Sequence, residues 1–237
     1  MSLNTAVSFF TVFHTIARVL VGEPQVTEVP PELLPATPES TRSQIVPARS
    51  LTEFWFATPD SPGAIALGMA EGTRTIDGVR TSAWYQHVDP GNARVNVGTF
   101  SSQNTNLSPD LADAAELERI RKQLEAFARD YPYLSPLEYL SAADLSIQAR
   151  GAFPAFGDHL EAVKQSDVRQ PPADVVIEAR VRSFYNPESG ELEAGGFGND
   201  EAALRRDQMR RTLELQRKIH RVEKYSPDSL EIANSTR

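Results

Sequence analysis

A mainly α fold of the α+β class is what this chain predicts: a helical domain with one small β-hairpin inserted after its first helix. Three observations carry the prediction. Serine followed by proline recurs at Ser61-Pro62, Ser108-Pro109 and Ser135-Pro136, which sets an N-cap hydroxyl before a residue whose fixed φ suits the first helical turn. Apolar residues return at helical spacing, as in Leu117, Ile120, Leu124 and Phe127. Between the first two serine-proline starts the texture changes to a ribbon rich in Gly, Asn, Thr and Ser over residues 72–107. With 237 residues, 40% of them hydrophobic and 24% charged, the chain can bury a sizeable core, and collagen-like, rod-like and wholly disordered classes are excluded.

Residues 1–22 read as an amphipathic helix. At about 100° per residue, Ala6, Phe9, Phe10, Phe13, Ile16, Ala17 and Leu20 fall on one side, with Ser8, Thr11, His14, Thr15 and Arg18 on the other. Docking on the protein's own core or on a partner, attachment to a membrane and removal as a signal are all open. No basic residue precedes Arg18, no A-x-A site follows, and the polar face is poor for a full span. The expected contact with a membrane or an assembly runs through residues 4–21. Residues 23–50 hold six of the seventeen prolines among isolated apolar residues and read as an extended linker.

The domain itself is expected over 51–225, with a tail at 226–237. Its helices are predicted at 62–70, 108–130, 136–148, 156–165, 172–184 and 200–224. Glu138 forms a capping box with Ser135, and Asn199 is read as the cap of the last helix. Asp89-Pro90-Gly91-Asn92 is a turn, and the alternation from Arg94 to Phe100 completes a hairpin. In the last helix Leu204, Leu215, Ile219 and Val222 share one face, while Arg206, Arg210, Arg211, Arg217, Lys218 and Arg221 occupy another arc. Two readings fit that arc. It is a solvated face paired with Asp207 and Glu214, or a patch for an anionic glycan, a membrane surface or an acidic partner.

Composition narrows the chemistry. The absence of cysteine excludes disulfides, thiolate metal sites and cysteine nucleophiles. A net charge of −8 argues against nucleic acid as a partner, since that binding draws on the release of counterions by Lys and Arg. Four histidines without HxH or HxxxH spacing predict no metal site, and nothing in the chain calls for a cofactor.

One segment stands out as a candidate for acid–base chemistry. Residues 62–70 are small and apolar and end abruptly in Glu71-Gly72-Thr73. A carboxyl group at the C-terminal end of a buried helix faces the negative end of the dipole with little solvent, and both effects favour its protonated form. The ribbon offers a second carboxylate, Asp89, with Asp77 in reserve. Asn96, Thr99, Ser101 and Gln103 form a hydrogen-bonding wall, Trp84 and Tyr85 are rings able to stack on a sugar or pack in the hairpin, and His87 is an ordinary ribbon residue.

Met69-Ala70-Glu71-Gly72-Thr73, followed by a polar hairpin and a helical lobe, resembles the lysozyme-like superfamily, in particular phage-type lysozymes and lambda-type endolysins. Asn96-Val97-Gly98 is similar to the strand after their second catalytic position. The match covers about residues 62–103. The resemblance implies a muramidase that cleaves β-1,4 links in peptidoglycan glycan strands, in a periplasmic or membrane-associated setting. Glu71 would be the general acid. Asp89 would be the base or charge stabiliser in a hydrolase, and dispensable in a lytic transglycosylase. Two features depart from the family. The interval from Glu71 to Asp89 is longer than in phage lysozymes, and free bacteriolytic lysozymes are generally basic. The alternative is a non-catalytic glycan-binding or scaffold module attached to a membrane or a larger assembly.

Overall fold

The computed structural model describes residues 46–89, 93–166 and 169–225. The chain divides into two units, Met1–Thr41 and Arg42–Arg237, and the described residues belong to the second. The helix expected at residues 1–22, with its contact segment 4–21, most of the linker and the tail at 226–237 therefore lie outside the described residues.

The described chain is mainly helical, with eight α-helices and two small antiparallel sheets. Strand β1 (Val46–Pro47) pairs with β4 (Tyr133–Leu134), and helix α1 (Ala48–Trp55) follows at once. Regular structure thus begins inside the segment read as linker. Proline and serine there give no local signal, because what orders the strand is a partner far along the chain.

All three serine-proline starts begin helices, α2 (Pro62–Glu71), α4 (Pro109–Asp130) and α5 (Pro136–Gln148). Ser135 and Glu138 form the expected capping box. Ser61 differs, since its hydroxyl accepts from the Thr58 N–H at 2.8 Å and closes the turn before the helix instead. Helix α6 (Phe156–Ser166) follows a 3₁₀ turn at Phe153–Ala155, and α7 (Pro172–Arg182) ends slightly short of its predicted limit. Helix α8 (Glu201–Tyr225) is capped by Asp200, whose carboxylate accepts from the Ala202 and Ala203 N–H groups at 2.8 and 3.3 Å. Asn199, read from the sequence as that cap, has a positive φ of 55° and accepts from the Ala194 N–H at 2.9 Å, closing the loop before the helix.

Helix α2 is the hub. Every residue from Gly63 to Ala70 is buried, because the helix has no polar side chain before Glu71 and is enclosed by α1, α5 and α8. Around it, α4 turns Leu117, Ile120, Leu124 and Phe127 inward, and Leu51, Trp55, Tyr139, Leu140 and Leu215 fill the same core. Burial of each such side chain contributes roughly 1.5–3 kcal/mol. Among the described residues no helix is long and apolar enough to cross a membrane.

The ribbon after α2 is less regular than a plain hairpin. A one-turn helix, α3 (Ser82–Tyr85), precedes strands β2 (His87–Val88) and β3 (Val95–Asn96), which pair His87 with Asn96 and Val88 with Val95. A helix, α1, also precedes the one read as first.

Candidate functional site

Glu71 is the last residue of α2, and the chain turns sharply behind it. Gly72 adopts φ 77°, a left-handed conformation suited to glycine, and its N–H donates to the Met69 carbonyl at 3.1 Å. The Thr73 N–H returns to the Gly68 carbonyl at 2.8 Å, which completes a Schellman close. Thr73 Oγ1 then donates to the Thr99 carbonyl at 2.7 Å and fastens the helix end to the ribbon.

A buried carboxylate on α4 sets the ribbon's position. Asp113 accepts from the Thr99 N–H at 2.5 Å, the Thr99 hydroxyl at 2.7 Å and Trp84 Nε1 at 2.9 Å. Gly98 passes so close that an added Cβ would lie 2.4 Å from Asp113 Oδ1, so only glycine fits there. Thr99 and Trp84 are buried in this anchor and do not border the cleft described below. Their polar groups are satisfied internally by Asp113, and of the two readings of Trp84, stacking on a sugar or packing in the hairpin, its burial fits packing. Tyr85 is exposed and packs edge-on to Trp84, also away from the cleft liners.

The cationic arc of α8 is turned onto the chain around Glu71. Arg210 Nη1 donates to the Ala70 carbonyl at 2.9 Å, Arg211 Nη1 to Glu71 at 2.7 Å, Lys218 Nζ to the Ile76 carbonyl at 2.9 Å, and Arg221 Nη2 to Asp77 at 2.8 Å. The pairs with Asp207 and Glu214 read from the sequence form as well. Four basic residues thus clamp residues 70–77 along one helix face. Asp77, the reserve carboxylate, is held at the surface by Arg221.

Arg211 leads from the cleft into the core. It also contacts Asp144 at 3.0 Å and Asp207 at 3.1 Å. Behind it Arg180, with no exposed side-chain surface, donates to Asp144 at 2.7 Å, Gln148 at 2.8 Å, Gln208 at 2.6 Å and the Ser141 carbonyl at 2.9 Å. Burial works to lower the Arg211 pKa, but the carboxylates of Glu71, Asp144 and Asp207 raise it well above the usual value. Burial likewise opposes ionisation of Asp207, yet Arg211 and Arg210 hold its carboxyl below the usual range. The three carboxylates are not equivalent. Asp144 also holds Arg180, Asp207 also holds Arg210, and Glu71 shares Arg211 with both.

A cavity of about 650 Å³ opens at this point, within the size range of ligand pockets. Glu71, Gly72, Arg210 and Arg211 form one side. Asp89, Asn96, Ser101 and Gln103 come from the ribbon, so these four and Glu71, all singled out in the sequence, line a common space. Asp89 opens the hairpin turn, exchanging 2.8 Å backbone hydrogen bonds with Ala93 and Arg94. His87 Nδ1 bonds to the Ala83 carbonyl at 2.8 Å and so carries the hydrogen, which leaves Nε2 to accept from the Ser101 hydroxyl at 3.4 Å. Asn96 is buried, and its Oδ1 has no hydrogen-bond partner among the described residues.

Other cleft residues were not foreseen. Phe197 and Gly196, in the 3₁₀ turn Gly195–Phe197, line the cavity, and so do Ile147, Gln148 and Asp207. A signal for the network did exist. Asp144 sits in the run Ala142-Ala143-Asp144-Leu145, where a carboxylate amid buried apolar residues demands a partner. The glycine-rich stretch 195–198 carries no comparable hint, since glycine marks any loop. Among the described residues no group of three or more acidic or histidine side chains is placed to hold a metal ion.

Comparison with family models, with curated proteins and with solved structures found no match to this chain. The resemblance to the lysozyme-like superfamily therefore rests on the sequence of about residues 62–103.

Proposed function

We propose that this cleft binds a β-1,4-linked glycan strand of the peptidoglycan type, and that the protein is a lysozyme-like muramidase with Glu71 as general acid. The observation that carries the reading is the convergence of Glu71 with Asp89, Asn96, Ser101 and Gln103 on one polar cavity. Sugars present many hydroxyl and amide groups, and a wall of amides, hydroxyls and carboxylates suits them. The unpartnered Asn96 Oδ1 is an acceptor that a sugar hydroxyl or acetamido N–H would satisfy. Phe197 supplies an aromatic residue to the wall where Trp84 and Tyr85 do not.

Among the described residues Glu71 pairs with Arg211 alone, while Asp144 also pairs with Arg180 and Asp207 with Arg210, and as general acid Glu71 would bring a proton to the bond that breaks. That proton passes to the glycosidic oxygen as the bond from C1 breaks, and the leaving sugar departs as an alcohol. In hydrolysis a water adds at C1 and Asp89 takes its proton. In transglycosylation the sugar's own 6-hydroxyl adds instead, its proton returns to Glu71, and a 1,6-anhydro end results.

A second reading draws on the 2.7 Å contact between Arg211 and Glu71, which engages the Glu71 side chain within the protein before any ligand enters. In that reading the cleft binds glycan without cutting it, as a module of a membrane-attached or larger assembly. Digestion of purified sacculi with mass analysis of the products separates the two. Cleavage that is lost in Glu71→Gln, by about 10²–10⁴-fold, supports the enzyme. Binding to sacculi with no cleavage supports the module, and activity retained in Glu71→Gln removes Glu71 from the reaction.

A further inference from the structure

The cleft does not end at Glu71. A second cavity of about 630 Å³ shares Phe100, Ser101, Gln103, Ile147 and Gln148 with the first and continues it toward the C-terminal end of α5. Its far wall has a different charge. Two guanidiniums, Arg119 and Arg150, converge there on one carboxylate, with Glu116 Oε2 2.6 Å from Arg119 and Glu116 Oε1 3.3 Å from Arg150. Arg119 Nη2 is buried without a hydrogen-bond partner among the described residues, while the Arg150 side chain is 63% exposed. This end of the groove therefore carries one positive charge in excess, on a chain whose net charge is −8. The wall around Glu71 carries the opposite excess, with Glu71, Asp89 and Asp207 against Arg210 and Arg211.

We infer that Arg150, backed by Arg119, forms an anion subsite that selects glycan strands bearing a carboxylate beyond the sugar at the Glu71 site. This rests on the reading of the cleft as a glycan site and adds to it the chemical class of the substituent. The physical reasons are three. Guanidinium is a planar fork matched to carboxylate. Glu116 fixes both guanidiniums in place before the ligand arrives, which reduces the ordering cost of binding. Arg119 is engaged by Glu116, Gln123 and the Ser146 carbonyl and supplies charge from behind, while Arg150 spends one donor on Glu116 and keeps the rest exposed to an incoming carboxylate. The carboxylate has two sources in such a strand, the lactyl ether of a muramic sugar and the peptide attached to it.

The test is a comparison of binding by the full chain, with three hexasaccharides titrated at low and high salt. One is neutral, built of N-acetylglucosamine alone; one alternates N-acetylglucosamine with N-acetylmuramic acid and lacks peptide; one carries the stem peptides. The wild type binds at least one acidic strand about tenfold tighter than the neutral one, and salt erodes the preference. Arg150→Gln removes that preference and leaves the neutral strand's affinity unchanged. Arg150→Glu inverts it. A preference already present in the peptide-free strand assigns the lactyl group, and one seen only with the peptide assigns the stem. Equal binding of all three by the wild type, or equal losses for all three in Arg150→Gln, overturns the anion subsite and leaves the glycan cleft standing. Failure of every strand to bind overturns the glycan reading itself.

Discussion

Arg211 Nη1 donates to Glu71 Oε1 at 2.7 Å, joining the last helix to the end of the central one across 140 residues of chain. The same guanidinium is held from behind by Asp144 and from its own helix by Asp207. Glu71 is thus placed through Arg211 by the core, and its position depends in part on Asp144, which is fully buried and does not line the cleft.

Asp89 distinguishes the two chemistries. Asp89→Asn should abolish net hydrolysis if the carboxylate takes a proton from water, and should leave cleavage with anhydro ends intact if the sugar's own hydroxyl attacks. Product mass separates these outcomes. Unchanged hydrolysis in the variant would show that Asp89 has no part in it.

Arg180 should be costly to remove. Arg180→Met retains much of the volume but removes the buried donor that Asp144 and the side-chain carbonyls of Gln148 and Gln208 accept from, leaving Asp144 with Arg211. Loss of one partner of a fully buried pair costs about 3–5 kcal/mol. Urea denaturation reads this directly, and a loss below about 1 kcal/mol would mean that Asp144 is adequately held by Arg211 alone.

Gly196 lines the cavity, yet nothing lies within 4 Å of a Cβ built on it, and its φ is not in the positive range. The fold does not require glycine here. Gly196→Leu should leave the melting midpoint within about 0.5 kcal/mol of wild type, as is usual for surface changes, while weakening glycan binding by filling the groove. Unaltered binding would place the ligand elsewhere.

Acid should weaken the network from a definite direction. Against the opposing effect of burial, Arg211 and Arg210 hold the folded-state pKa of Asp207 below its ordinary value, so the unfolded chain takes up this proton first. Its stabilisation is fully present above the unfolded value and is lost as pH falls through the lower folded one. Denaturation curves from pH 7 to pH 2 should show Asp207→Asn less stable than wild type at neutral pH and with a shallower acid slope. Parallel curves would remove Asp207 from the acid response.

Much of this molecule is settled by local chemistry. Serine-proline pairs start helices because capping and the fixed φ of proline act within one turn, so α2, α4 and α5 were legible at their first residues. The same holds for the apolar run that ends at Glu71, and for Glu71, Asp89, Asn96, Ser101 and Gln103 as residues of one polar ribbon and helix end. What local chemistry cannot specify is which of several satisfactory partners a polar group takes. Thr99 and Trp84 look as suited to a sugar as to a protein, and only the arrival of Asp113 from α4 turns them inward. The arginines of α8 read as a solvated face because their partners lie in a segment about 140 residues earlier. Tertiary packing alone brings those carboxylates within hydrogen-bonding distance, and in a buried setting where unpaired charge is costly that proximity decides the role of each group.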